Sequence, residues 1–298
     1  MIKNTFLIVC LLGCITSSLQ AQSNKLQKNI EQIIHSKNAV IGVSVYGIEN
    51  NDTLSVNGDK HFPMQSVFKF HIALAVLHKV DQGEFSLDQK IFIKKSDLLP
   101  NTWSPIREKY PNGNVSLPLS ELIQYTVAQS DNNGCDILLR LIGGANVVIN
   151  YIHSLGIKDV SITATEEEMH KEWDVQFTNW STPKAATQLL SKFYKEKILS
   201  EKSFHFLWNV MAATTTGTGR IKGELPPGTI VAHKTGTSDT NKEGITAAVN
   251  DIGIVTLPNG KHFAICVFVS NSKESETVND KIIADISKLA WNYFKQKE

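Results

Sequence analysis

Leu26, Ile30, Ile33 and Ile34 recur at three- and four-residue spacing, which predicts a first helix ending near Ser36. Val40 to Ile48 is β-branched and reads as a strand. Glu49-Asn50-Asn51-Asp52 then turns the chain into a second strand, Thr53 to Val56. From Phe62 to about Ser203 the pattern is mainly helical, with Val67, Phe70, Leu74 and Leu77 on one face. Ser120 is placed to cap a helix over 121–129, and Thr182-Pro183 offers a cap and a first-turn proline for Lys184 to Lys195. Strands return at Thr229–Thr237, Thr246–Leu257 and His262–Ser270, with Pro258-Asn259-Gly260 turning between the last two. A closing helix carries Ile282, Ile283, Ile286, Leu289 and Ala290 on its apolar side.

Strands at both ends with helices between them predict an α/β (α+β) fold, an antiparallel sheet built from both termini with packed helices, plus a mainly helical lobe. The expected division is a discontinuous α/β domain, 22–61 and 205–298, and a helical domain, 62–204, with a ligand cleft between them. Residues 1–21 form a separate unit. Lys3, the apolar run Phe6–Leu12 and the small-residue end at Ala21 describe a secretory signal peptide, so the mature chain is expected to be exported to the periplasm. The run is too short for a transmembrane span, which needs ~20 apolar residues. An alternative reads Leu11-Leu12-Gly13-Cys14 as a lipoprotein box with a lipid anchor on Cys14.

Composition narrows the chemistry mostly by exclusion. The chain has 298 residues, 42% of them apolar and 20% charged, which is globular and excludes a disordered or collagen-like protein. Lys plus Arg total 30 against 29 for Asp plus Glu, so no basic surplus points to nucleic acid, and a neutral surface suits a monomer. Cys10, Cys14, Cys135 and Cys266 lack Cys-x-x-Cys spacing, and Cys135 and Cys266 are expected to be buried and inert. None of the nine His forms a His-Glu-x-x-His pair, Gly42-Val43-Ser44-Val45-Tyr46 misses the Gly-x-Ser-x-Gly elbow, and no phosphate-loop spacing is met. No metal or organic cofactor is expected.

Ser66-Val67-Phe68-Lys69 stands at a predicted helix start, where three-residue spacing puts the ammonium within reach of the hydroxyl. A serine becomes nucleophilic when a base takes its proton, and a desolvated lysine can do so. Ser181-Thr182-Pro183-Lys184 and Ser270-Asn271-Ser272-Lys273 match the same motif, so alone it is weak. Ser130-Asp131-Asn132 follows a predicted helix end, and Lys234-Thr235-Gly236 lies in a predicted strand, where an interior Gly marks close approach of a ligand or backbone.

The three motifs in this order resemble the penicillin-recognising serine enzymes, a set long used to define them. The resemblance covers essentially the whole mature chain. It is closest to the class A serine β-lactamases, within them to the extended-spectrum branch of the VEB and PER type. Ser130-Asp131-Asn132-Asn133-Gly134-Cys135-Asp136, Thr214-Thr215-Thr216-Gly217 and Val231-Ala232-His233-Lys234-Thr235-Gly236-Thr237 carry the closer match. The resemblance implies hydrolysis of β-lactam antibiotics, expanded-spectrum cephalosporins among them, and reaction with mechanism-based inhibitors.

It also implies residue roles. Ser66 is the nucleophile, with Lys69 or Glu166 (through a water) as its base. Ser130, aided by Lys234, protonates the leaving nitrogen. The N–H groups of Ser66 and Thr237 hold the oxyanion. Asn132 binds the acylamino group, Thr235, Thr237 and Arg220 gather the carboxylate, Gly236 lies in the same strand, and Trp103 forms an aromatic wall. Glu166, in Thr165-Glu166-Glu167-Glu168-Met169-His170, directs the deacylating water together with His170, which stands where most members carry Asn.

The chain departs from the family twice. Ala164 and Asn179 replace the usual Arg–Asp pair at the ends of this loop, and Arg220 replaces an Arg on a later strand. The rivals are a DD-peptidase and a non-enzymatic β-lactam sensor. Glu166 in register speaks against the first, and the lack of a membrane segment after the signal speaks against both.

Overall fold

The computed structural model describes residues 21–296. The expected signal segment, Cys14 included, falls outside the described residues except for Ala21. Helix α1 (residues 21–35) leads into β1 (Val40–Gly47) and β2 (Thr53–Val56). A short β3 (Phe62–Pro63) opens into α2 (Phe68–Asp81), β4 (Lys90–Ile93), α3 (Pro105–Lys109), β5 (Val115–Pro118), α4 (Leu119–Ala128), α5 (Asn132–Ile142) and α6 (Ala145–Ser154). Next come β6 (Val160–Ser161), α7 (Glu166–Lys171), β7 (Trp180–Ser181), α8 (Pro183–Lys195) and α9 (Glu201–Ala212). The chain closes with β8 (Val231–Thr237), β9 (Thr246–Thr256), β10 (His262–Ser272) and α10 (Glu276–Lys295). No single helix among the described residues is long and apolar enough to cross a membrane.

The main sheet runs β2-β1-β10-β9-β8, antiparallel throughout, so the strands of the two chain ends do meet in one sheet. β10 shows why. Its side chains alternate between faces, and both faces are buried. Phe263, Ile265, Val267 and Val269 join α1 and α10 on one side, while Ala264, Cys266 and Phe268 meet the helices of the middle segment on the other. Each fully buried Phe or Ile here contributes about 1.5–3 kcal/mol. Cys135 and Cys266 are free and buried, and burial pushes both thiols up, which leaves them inert.

The structure differs from the sequence reading in local detail. Thr229 sits in a turn, its N–H on Pro226 O, so β8 starts at Val231. Ser120 is not a cap. The helix begins at Leu119, and the N–H groups of Leu119 and Ser120 are taken by Gln89 O and Leu87 O. The predicted apolar face of α2 is only part of its surface: every residue from Phe68 to Leu77 is buried, Lys69 and His71 included. A helix enclosed on all sides has no solvent face to reveal. Burial holds the His71 ring neutral, its pKa lowered to about 4. Thr182 caps α8 as expected, its side chain accepting from Ala185 N.

Candidate active site

Ser66 lies in a 3₁₀ turn, Gln65–Val67, that leads into α2. That turn is gripped from three sides. Asn250 Nδ2 donates to Pro63 O (2.8 Å) and Met64 O (3.2 Å), and Met64 N donates to Asn179 O (2.9 Å). A Cβ on Gly236 would stand 2.4 Å from Met64 O and 3.2 Å from Ser66 N, so the strand can lie this close only with Gly there. Gln65 takes φ +47°, a left-handed conformation unusual for a side-chain-bearing residue.

One turn on, the fully buried Lys69 Nζ bonds Ser66 Oγ (2.8 Å), Ser130 O (2.8 Å) and Asn132 Oδ1, and pairs with Glu166 Oε1 at 2.9 Å. Ser66 Oγ donates to the same carboxylate oxygen at 3.3 Å. Glu166 is 9% exposed, so it is not out in solvent.

Ser130 sits between α4 and α5 at φ +59°. Asp131 organises that joint. Its buried carboxylate caps α5 through Gly134 N (2.8 Å) and accepts from Ile106 N (2.7 Å) and Ser104 Oγ (3.0 Å), while burial raises its pKa. Ser130 and Asn132 on either side are thereby turned toward the cleft. Lys234 Nζ, fully buried, donates to Ser130 Oγ (2.9 Å) and Thr235 O (2.8 Å). Burial first, and then the charge of Lys69, holds its ammonium well below the usual lysine range.

Glu166 is held by its backbone. The N–H groups of Glu166 and Glu167, at the start of α7, donate to the two oxygens of Asp136 at 2.8 and 2.9 Å. Burial, and then the Glu166 charge, raise the Asp136 carboxyl to about 6. The absent Arg–Asp pair is replaced by a neutral device: Asn179 Oδ1 accepts from Thr163 N (2.8 Å) and Ala164 N (2.9 Å), and its Nδ2 donates to Ala164 O (2.8 Å).

Arg220, expected to help gather a carboxylate, lies behind β8. It is 4% exposed, with Nε on Asp280 Oδ1 (2.7 Å), Nη1 on Gly236 O (3.2 Å) and Asn250 O (3.0 Å), and Nη2 on Thr237 Oγ1 (2.8 Å). Four of its five N–H groups are thus engaged by protein. It reaches the cleft through Thr237, whose hydroxyl accepts from Arg220 and keeps its own proton to donate. Thr235 is buried and shares a hydroxyl–hydroxyl bond of 2.6 Å with Thr216.

His170 is exposed on the cavity rim, one turn from Glu166 on α7. Trp103 is 56% exposed, its Nε1 donates to Gln129 O (2.9 Å), and it lines the cavity. Ser66, Asn132, Glu166, Trp103 and Thr237 border one cavity of about 330 Å³. Among the described residues no group of three or more His, Cys, Asp or Glu is placed to hold a metal. Sequence reading passed over Gln65, Gln176, Asn250 and Asp280, and quoted Asp131 within its motif without a role. Asp136 stood in the quoted run without a role, and its place at a helix–loop contact has no local sequence signal.

This pocket brings a buried lysine, two serines, a second buried lysine and a carboxylate within hydrogen-bond reach of one another. The family model described as beta-lactamase enzyme family matches residues 25–294. Beta-lactamase VEB-1 of Pseudomonas aeruginosa is 52% identical over 279 residues, 93% of each chain. Extended-spectrum beta-lactamase PER-1 of Pseudomonas aeruginosa is 45% identical over 277 residues, 93% of this chain and 90% of that one. The crystal structure of TLA-3 extended-spectrum beta-lactamase superposes with a TM-score of 0.91 at 61% identity, covering 92% of this chain and 99% of that one. With the fold, the pocket and near-full-length relatives in agreement, this chain belongs to the beta-lactamase enzyme family.

Proposed function

We propose that this class A serine β-lactamase hydrolyses penicillins and cephalosporins, expanded-spectrum cephalosporins included, through an acyl-enzyme, and so confers antibiotic resistance. The named relatives support the spectrum. The observation that carries the mechanism is the triangle Ser66 Oγ–Lys69 Nζ–Glu166 Oε1, with sides of 2.8, 2.9 and 3.3 Å.

Ser66 Oγ attacks the lactam carbonyl carbon, and its proton leaves into the Lys69–Glu166 pair. The N–H groups of Ser66 and Thr237 hold the oxyanion; one such donor is worth ~3 kcal/mol of barrier. As the intermediate collapses, the C–N bond breaks and the nitrogen takes the Ser130 proton, which Lys234 and Lys69 help to replace. Asn132 holds the acylamino group, Thr235 and Thr237 bind the carboxylate with Arg220 behind them, and Trp103 flanks the cleft. For deacylation Glu166 takes a proton from water, with His170 at the rim to orient it. Glu166 Oε1 lies 3.3 Å from Ser66 Oγ, so a water that it activates starts beside the ester. The hydroxide attacks the ester and the proton returns to Ser66, so one water has been added across the amide.

The same reading takes mechanism-based β-lactam inhibitors as ligands and residues 1–21 as a signal directing a monomer to the periplasm, with a lipid on Cys14 as the alternative. It also divides the chain into a 22–61 plus 205–298 domain and a 62–204 domain. Mass spectrometry during reaction with a cephalosporin tests the mechanism. The wild type is expected to consume drug and return to its unmodified mass. Glu166→Gln should trap the adduct and lower turnover by roughly 10²–10⁴-fold; unchanged steady-state turnover would assign the base elsewhere.

A further inference from the structure

A hydrogen bond between two buried amides crosses the base of the cleft. Gln65 Nε2 donates to Gln176 Oε1 at 2.7 Å, and both residues border the cavity that holds Ser66 and Glu166. Gln65 immediately precedes the nucleophile. Gln176 lies in the 3₁₀ turn Trp173–Phe177 that follows α7. The donor sense is fixed locally. Gln176 Nε2 donates to Trp173 O at 2.7 Å, a carbonyl that can only accept, so Oε1 is left facing Gln65.

We propose that this bond is a latch keeping the Glu166 segment in register with Ser66, which makes Gln176 a positioning residue for deacylation. The inference deepens the hydrolase reading and rests on it. The side-chain bonds that join Glu166 itself to the nucleophile run through reacting atoms, Ser66 Oγ and Lys69 Nζ, and the remaining tie, through Asn179, reaches the start of the loop at residues 163–164. Once Ser66 is an ester its oxygen carries no proton, so its bond to Glu166 is lost at the stage when Glu166 must direct water. The Gln65–Gln176 bond involves no reacting atom and survives acylation. Its Gln65 end also bears on a residue already in a left-handed conformation, packed against Gly236 and adjacent to the Ser66 N–H. Loss of the bond releases the 173–177 turn that packs behind α7. Glu166 then keeps its backbone ties to Asp136 but loses this lateral support, while Asn250 and Asn179 still hold the backbone of residues 63–64. The two chemical steps should therefore respond unequally.

Gln176→Leu removes the bond at similar side-chain volume, and Gln65→Leu removes it from the other side. Rapid-quench mass spectrometry with a cephalosporin on the full-length protein gives acylation and deacylation rates separately. For Gln176→Leu, deacylation is expected to slow by roughly 10- to 100-fold, as sub-ångström to ångström misplacement does, with acylation changed by less than about threefold. kcat and KM then fall together, and acyl-enzyme accumulates. Gln65→Leu should slow deacylation as well, and the double variant should be no slower than the worse single one. Equal loss in both steps, unchanged deacylation, additive single effects, or failure of both single variants to fold each overturns the latch. A wild type that neither consumes drug nor passes through an adduct fails the hydrolase reading itself, a result distinct from any of these.

Discussion

Replacing Asp136 by Asn separates stability from catalysis. The carboxylate accepts two N–H groups at the start of α7, yet burial and the Glu166 charge still raise its pKa from 3.8 to about 6. A folded-state pKa above the unfolded one means that ionisation opposes folding. The penalty is absent below pH 3.8, grows between there and about pH 6, and is complete above it. A rise of about two units is worth about 3 kcal/mol. Asn resembles the protonated acid in carrying no charge, so Asp136→Asn should be as stable as wild type near pH 3.5 and more stable by up to about 3 kcal/mol at pH 7. Turnover should move the other way. Asn offers one acceptor to two N–H groups, so the turn bearing Glu166 loosens and deacylation slows by roughly tenfold or more. Denaturant unfolding of both proteins at stepped pH from about 3.5 to 7.5, with acyl-enzyme lifetimes at about pH 7, checks both halves. In a Glu166→Gln background the stability gap should narrow, because the second cause of the shift is gone. A gap independent of pH, or a variant less stable at pH 7, refutes the account.

Two further substitutions address the walls of the pocket. Gly236→Ala puts a Cβ against Met64 O and the Ser66 N–H, so kcat/KM for penicillins should fall by roughly 10²-fold, comparable to losing an oxyanion donor; wild-type kinetics would show that the strand is free to retreat. Asp280→Ala leaves Arg220 Nε unpaired in a buried position and loosens the guanidinium that supports Thr237. KM for carboxylate-bearing substrates should then rise by roughly tenfold with kcat nearly unchanged, and a change in kcat alone would contradict that role.

The sheet was legible because β1, β9 and β10 are long enough to show their β-branched content, and short turns force antiparallel neighbours. The motifs were legible as text, but only resemblance said that they meet, since Ser66, Ser130, Glu166 and Lys234 lie on separate elements. What stayed hidden depends on tertiary context. The burial of Arg220 behind β8 leaves no trace in the residues around it. The left-handed Gln65 lacks the Gly or Asn that usually announces such a conformation. The capping of α4 by carbonyls of residues 87 and 89 comes from a segment with no helix signal. Asn179 in place of an acid read as a missing ion pair, whereas its amide both donates and accepts and so closes the loop without charge.

Because Val40 lies opposite Ser270 in the register of β1 and β10, the first strand to be synthesised has its inner neighbour only when nearly all of the chain exists. Until then β1 and β2 can form at most a two-stranded ribbon, which is marginal alone in water. The closure of so long a loop is also slow to reward itself. A polypeptide wired in this way completes its main sheet only late in synthesis. The same wiring should make loss of the last strand far more damaging than its share of the length suggests.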